Sequence, residues 1–444
     1  MTKKYDYTEG GSYASDSSPV LIRNVPVGNL KISAVKGEAD GELTVQTVSL
    51  GRSVASVTVK EAPPVYGFRI AVNTADPSAR VTYPQTIFGQ TNGAYGKTPA
   101  SGTGANCMND WAGCELITGI KRQTKGYNTD FVDVSDKKAA KTGMLKSPTD
   151  AWTDVMTYVP TWYMKMTNYG TTIDCAFSQT KIDDTWKDYA GSVGTNHVGH
   201  FRVGCFAGYV ESGYDSNSGY GPYSIGGVTP TVNKSITNFI TYAKARGTGY
   251  DIMTWYQWTY LTALAVLLYK STNLQAAMAQ GYVGGSSVQS ETALTFSNDY
   301  GMAGGTSKTQ QMAFFWIQNL WGNMYQFVGG AKTDSNRRLM TSTGYSSVTD
   351  SDFDKTALSP SLSSSLNGYV SKVVGTTDAG FFPAECSGAA TTYFADDGYV
   401  YTSGFPYVGG YYSSGDNAGP FLALFYRSAT GTDTYLGSRL SYRL

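Results

Sequence analysis

Gly409-Gly410-Tyr411-Tyr412-Ser413-Ser414-Gly415-Asp416-Asn417-Ala418-Gly419-Pro420-Phe421 is the run from which the rest of the chain is read. It continues as Leu422-Ala423-Leu424-Phe425-Tyr426-Arg427 and closes at Gly437-Ser438-Arg439-Leu440-Ser441-Tyr442-Arg443-Leu444. From Tyr393 to Leu444 there are nine Tyr, four Phe, eight Gly and six Ser, without one Lys, Glu, Gln, His or Trp. Tyrosine supplies a large amphipathic contact area with few rotatable bonds, and Ser and Gly adapt around it; this is the composition of antibody-type contact surfaces. The competing reading is an aromatic-rich β core. Against it, the pairs Tyr411-Tyr412, Phe425-Tyr426 and Ser413-Ser414 place like residues on both faces of any strand, breaking the two-residue period of a half-buried one. Aromatics also cluster at recognition hot spots. The stretch is therefore expected to form a binding face.

Upstream, Ser235 caps an expected helix that ends at Gly247. A second helix is expected from about Met253 to Lys270, with Trp255, Trp258, Leu261, Leu264, Ala265 and Leu268 near one face as a core stripe. Asn273 starts a short third one that closes at Gly281. Thr333 to Gly380 is Ser-, Thr- and Asp-rich and reads as loops with one strand at Tyr369 to Val374. Gly194 to Gly213 holds an expected strand pair, and Pro222 to Thr231 a Gly- and Pro-broken loop.

At the other end, residues 1–18 read as a flexible lead. Leu21 to Val25, Leu30 to Val35, Leu43 to Leu50 and Val54 to Val59 are four short β-like runs, giving a small all-β, sandwich-like (Ig-like) module over 19–61. About 45 such residues bury little core alone, so the module is expected to lean on a neighbour. Ala62-Pro63-Pro64 is a stiff linker, and 65–444 forms one large domain.

With 34 basic and 34 acidic residues the formal charge is zero, so no electrostatic argument favours nucleic acid or an anionic membrane as partner. Met1 to Leu21 lacks the apolar core of a signal peptide, and Leu261 to Tyr269 falls far short of the ~20 residues a membrane helix needs. A soluble protein assembled in a reducing cytoplasm is expected, because five cysteines without a C-x-x-C spacing suit neither a disulfide framework nor a zinc ribbon.

Phe315-Trp316-Ile317-Gln318-Asn319-Leu320-Trp321-Gly322-Asn323-Met324-Tyr325-Gln326-Phe327-Val328 resembles the G-N-x-W-E/Q-W core signature of formylglycine-generating-enzyme folds, with Tyr325 and Phe327 where that family has tryptophans. Together with Gly409 to Leu444 it is similar to the variable proteins of diversity-generating retroelements. Gly67-Phe68-Arg69-Ile70, Val81-Thr82-Tyr83 and Val159-Pro160-Thr161-Trp162-Tyr163-Met164-Lys165 resemble tail-associated proteins of phages and prophages of gut bacteria. The resemblance covers roughly residues 65–444. It implies an α+β, C-type-lectin-like domain of the formylglycine-generating type with large loop insertions, in which the signature is structural.

In that family a reverse transcriptase copies a template with errors at adenines, and the copy replaces the segment encoding the C-terminus. By that pattern the diversified ligand contacts are expected at Tyr393, Tyr399, Tyr401, Tyr407, Tyr411, Tyr412, Ser413, Ser414, Asp416, Phe425, Tyr426, Arg427 and Tyr435. Gly409, Gly410, Gly415, Gly419, Gly437 and Arg439 are expected to be scaffold. The implied role is non-enzymatic attachment of a virion tail to a host cell-surface protein or glycan, with other tail components held through the N-terminal module. A homo-oligomer or an arrayed set of copies would raise modest single-site affinity through multivalency. The alternatives are a bacterial surface adhesin of the same fold and a structural tail component without a ligand.

Chemistry-bearing motifs are few. Gly96-Lys97-Thr98 lacks the first glycine of a phosphate loop, whose place is held by Thr91, and no apolar strand precedes it. His197 and His200, spaced H-x-x-H, suit structure better than zinc. Asp350, Asp352 and Asp354 alternate as in a calcium loop, but Lys355 replaces the required glycine and Ser361 the bidentate acid. Cys386 stands alone after Cys205, whereas the fold's cysteine-oxidising namesake needs a close pair. No catalytic residue, metal or cofactor is expected.

Overall fold

The computed structural model describes residues 65–126, 129–147, 151–193, 196–210, 221–342, 346–354 and 358–444, with backbone alone at 144–147, at 151 and in strands of the first 57 residues. Those N-terminal strands pair in the order Lys3–Asp6, Val20–Val25, Arg52–Val57, Leu43–Val48. Lys3–Asp6, inside the stretch read as a flexible lead, runs parallel to Val20–Arg23. The linker 62–64 lies outside the described residues, and so do 211–213 at the end of the expected strand pair.

Strands dominate the large domain, and among the described residues only two helices exceed one turn. Trp255–Tyr269 is the axis. Thr254 starts it with a reciprocal cap: its Oγ1 accepts from the Gln257 N–H at 3.4 Å, and Gln257 Oε1 accepts from the Thr254 N–H at 2.9 Å. Its end is a left-handed turn at Lys270. One apolar face is expected from the spacing, yet all its residues are buried. The reason is that three sheets surround it. Tyr260 meets Phe177 of a four-stranded sheet at 5.1 Å and Phe201 of a seven-stranded sheet at 6.0 Å, and Trp255 meets Phe425 of a six-stranded sheet at 5.3 Å. A helix enclosed in this way has no polar side to show in its sequence.

The four-stranded sheet is ordered Tyr163–Asn168, Thr172–Ser178, Tyr66–Ala71, Val81–Thr82. The seven-stranded sheet places Leu440–Tyr442, from the end of the chain, between His200–Gly204 and Tyr250–Ile252. The six-stranded sheet runs Leu366–Tyr369, Asp397–Val400, Gly419–Arg427, Phe405–Gly409, Tyr325–Phe327, Leu436–Ser438. The strand expected over Tyr369 to Val374 is interrupted: Leu366–Tyr369 joins this sheet, whereas Lys372–Val373 pairs separately with Pro383–Glu385.

The second long helix, Ile236–Ala245, carries the expected Ser235 cap and a capping box with Asn238. The short third helix, Leu274–Ala277, begins at the expected Asn273, whose Oδ1 accepts from the Ala276 N–H at 3.0 Å, and stops before Gly281.

The core signature closes on Arg439, which is fully buried. Its Nε donates to Gln326 Oε1 at 2.7 Å, Nη1 to the Gly204 carbonyl at 2.9 Å and Nη2 to the Gln318 carbonyl at 2.7 Å. Gln326 in turn donates to the Asn319 carbonyl at 2.9 Å, and Asn319 donates to the buried Glu291 at 3.0 Å. Trp321 packs beside this network and donates its indole N–H to the Ala279 carbonyl at 3.1 Å. Removing one partner of such a network leaves buried groups unpaired. Arg439→Ala is expected to cost on the order of 3–5 kcal/mol in urea unfolding; a loss below about 1 kcal/mol, the size of a surface change, would contradict this.

Candidate functional site

Register across the six-stranded sheet defines the site. Asn367, Tyr399, Leu424, Tyr407, Phe327 and Ser438 are successive cross-strand partners and therefore share one face. The neighbouring rows, Gly398-Ala423-Val408 and Val400-Phe425-Pro406, begin on or adjoin the opposite face, which rests on the Trp255–Tyr269 helix. On the outer face, Phe239 of the Ile236–Ala245 helix covers Phe327 at 6.5 Å, and Tyr407 belongs to the same buried cluster. Beyond that helix the outer face lies open. There Tyr401 and Tyr426 are 43% and 46% exposed.

Two connected groups of rings occupy this open region. Tyr399 lies 6.3 Å from Tyr401 at 23° and 5.2 Å from Tyr426 at 86°, and Tyr401 meets Tyr426 at 6.0 Å. In the second group, Tyr411 stacks on Tyr325 at 5.0 Å, lies 4.6 Å from Tyr435 and meets Tyr412 edge-on at 4.9 Å. Arg427 joins them, its guanidinium 5.5 Å from the Tyr426 ring and 2.5 Å from Asp433 Oδ2. Burial pushes the Tyr407 phenol up to about 12, and burial together with Asp433 does the same for Tyr435.

The loop after Gly409-Gly410 is held from several sides. Both glycines have φ of 86°, and a Cβ on Gly410 would come within 2.5 Å of the Ala418 Cβ, so the turn requires glycine there. Ser414 Oγ accepts from the Tyr411 N–H at 2.9 Å, the Tyr412 carbonyl accepts from Gly285 at 2.6 Å, and Asp416 pairs with Lys308 at 2.7 Å. Tyr369 donates its hydroxyl to Asn417 Oδ1. Ser413 and Asp416 are exposed at the tip.

Of the thirteen expected contacts, Tyr399, Tyr401, Tyr411, Tyr412, Ser413, Ser414, Asp416, Tyr426, Arg427 and Tyr435 come together here. Three do not belong. Phe425 is 0% exposed, locked between Trp255 and Phe382, and Tyr407 is 6% exposed beneath the Ile236–Ala245 helix. Tyr393 stands apart, its carbonyl accepting from Thr272 Oγ1 and its ring 5.4 Å from Arg80. Tyr325, Tyr369, Lys308 and Asp433 are members that the sequence does not single out. Only Tyr325 carried a signal: it alternates with Phe327 in a short strand, so both point outward.

The remaining motifs make local contacts where they are described. His197 Nδ1 lies 2.7 Å from Asp188, and His200 packs on Tyr158 at 5.0 Å. Lys332 pairs with Asp350. Lys97 donates to the Asp110 carbonyl at 2.9 Å. Among the described residues no group of three or more His, Cys, Asp or Glu is placed to hold a metal ion, and no helix is long and apolar enough to cross a membrane. Burial pushes the Cys205 thiol up to about 11 and the Cys386 thiol to about 12, which keeps both protonated near neutrality and poor as nucleophiles.

No family model matches the chain, and no curated protein does. Among solved structures it is similar to the Major Tropism Determinant U1 variant at 12% identity and TM-score 0.26, covering 88% of this chain and 75% of that one. The M1 variant gives 11% identity and TM-score 0.27 over 91% and 80%, and the P3c variant 11% and 0.26 over 93% and 85%. These likenesses are low in both measures, so what the face does is read from its own residues.

Directly beneath the face, Asp396 is buried and accepts from the Phe421 N–H at 2.8 Å. Burial raises its carboxyl well above the usual range. Between the ordinary and the raised pKa the unfolded chain releases this proton while the folded one keeps it, so stability falls as pH rises through that window. Asp396→Asn removes the penalty. Its stability relative to the parent should therefore improve as pH rises above the ordinary carboxylate range of about 4, by up to roughly 1.4 kcal/mol per pH unit while the folded parent keeps the proton. Urea unfolding at several pH values checks this; a relative stability that is flat or declines with pH would contradict it.

Proposed function

We propose that the chain is a non-enzymatic receptor-binding protein of a phage or prophage tail that grips a host-surface ligand through this tyrosine face. The observation that carries the reading is the open half of the outer sheet face, where Tyr399, Tyr401 and Tyr426 stand clear of the covering helix. Exposed tyrosines at this density have little reason to lie in water unless something covers them. The rigid sheet below sets their positions, and the short, well-tied loop beside them limits the ordering cost of binding. In this reading the N-terminal module joins other tail components, and the protein is assembled in the bacterial cytoplasm and works on the virion.

Tyr401→Ala combined with Tyr426→Ala is expected to weaken binding of the fluorescently labelled full chain to intact host bacteria by tenfold or more, about 1.4 kcal/mol, with the unfolding midpoint nearly unchanged. Equal binding by the double variant would remove the face from the function.

We further propose that the face is diversified, as the resemblance to retroelement variable proteins implies. Sequencing the flanking DNA should then reveal a near-copy of the codons for about Tyr393 to Leu444 beside a reverse-transcriptase gene. Its adenine differences should fall at the codons of Tyr399, Tyr401, Tyr411, Tyr412, Ser413, Ser414, Asp416, Tyr426, Arg427 and Tyr435 and spare that of Phe425, which the core cannot release. Differences concentrated at buried positions would contradict this placement.

A further inference from the structure

Resting on that reading of the face, we infer that its ligand is an uncharged carbohydrate of the host surface. Charge supplies the first step. From Tyr399 to Tyr435 the chain contains only three charged residues, Asp416, Arg427 and Asp433. Each is neutralised at home: Arg427 by Asp433 at 2.5 Å, and Asp416 by Lys308 at 2.7 Å. Asp397, at the margin, has its carboxyl raised by burial and so is more readily neutral than a free one. Arg337, on the adjoining turn, donates its Nη1 to the Leu362 carbonyl at 3.1 Å and keeps its positive charge, but it lies outside the tyrosine groups.

A charged ligand pressed against the tyrosines would lose its water and meet only charges already paired with one another, which is costly. Protein surfaces of epitope size ordinarily carry charges, and their binders answer with complementary ones. A neutral glycan requires none.

Ring geometry supplies the second step. Tyr399 and Tyr401 are nearly parallel at 23° with centroids 6.3 Å apart, within the range of offset-stacked rings, so the two form one continuous aromatic pair at the surface. Tyr426 stands edge-on against both. The faces of such rings are electron-rich and attract the slightly positive C–H face of a pyranose. Around them Ser413 and the tyrosine hydroxyls both donate and accept, as sugar hydroxyls require.

The test uses the labelled full chain and intact cells of a strain that it binds. Periodate, which cleaves vicinal diols of sugars, should abolish binding, whereas proteinase K treatment of the cells should leave it within about twofold. Raising salt from roughly 50 to 500 mM should change affinity less than about threefold, because no free charge is engaged. Binding that survives periodate and is lost to proteinase K would overturn the inference in favour of a protein receptor, and so would a steep loss with salt. If binding depends on Tyr401 and Tyr426 but survives periodate, only the carbohydrate assignment falls. If it is indifferent to both tyrosines, the face itself is misread.

Discussion

The guanidinium of Arg439 is the constraint on which the rest depends. Fully buried, it satisfies carbonyls at Gly204 and Gln318 and the side chain of Gln326, and so ties the strand at His200–Gly204 and the Phe315–Val328 run to the end of the chain. A charge at that depth is tolerable only with every donor answered, so its partners must converge in one geometry. That convergence brings the end of the chain between the strands at His200–Gly204 and Tyr250–Ile252 and fixes the Tyr325–Phe327 strand at the edge of the site. The surface tyrosines are thereby carried on a sheet whose position is set from beneath.

The outer residues of this sheet are separated from a core that fixes the sheet from beneath. In the strand Gly419–Arg427, Phe421, Ala423 and Phe425 look inward to Phe381, the central helix and Phe382, while Tyr426 looks out. Neighbouring residues in one strand thus belong to different physical problems, packing on one side and contact with the surroundings on the other. Substituting the outward residue changes little that the core notices, whereas the inward one has no spare volume to lose.

Much of this was legible in the sequence, and the misreadings are instructive. The caps at Ser235 and Asn273 announced their helices because the capping chemistry is local. The tyrosine-rich composition of the last fifty or so residues pointed to the face. The pair Phe425-Tyr426, taken as a break in strand periodicity, is ordinary alternation with an aromatic residue on each side, so Phe425 was assigned to the surface when it belongs to the core. Tyr407 alternates correctly, but a helix from far earlier in the chain covers it, and no local pattern reports such a cover. The enclosure of the central helix by three sheets was hidden for the same reason. Lys308 and Tyr369 enter the site through long-range pairing with Asp416 and Asn417, for which the linear sequence carries no mark.

In the function proposed above, the open tyrosine region is where a ligand sits. Hydrogen–deuterium exchange of the full chain, with and without surface material from cells that it binds, tests that directly. New protection should concentrate at 399–401, 411–417 and 426–435, with the seven-stranded sheet unchanged. Protection confined to other surfaces, such as the strands at Phe131–Asp133 and His200–Gly204, would contradict it.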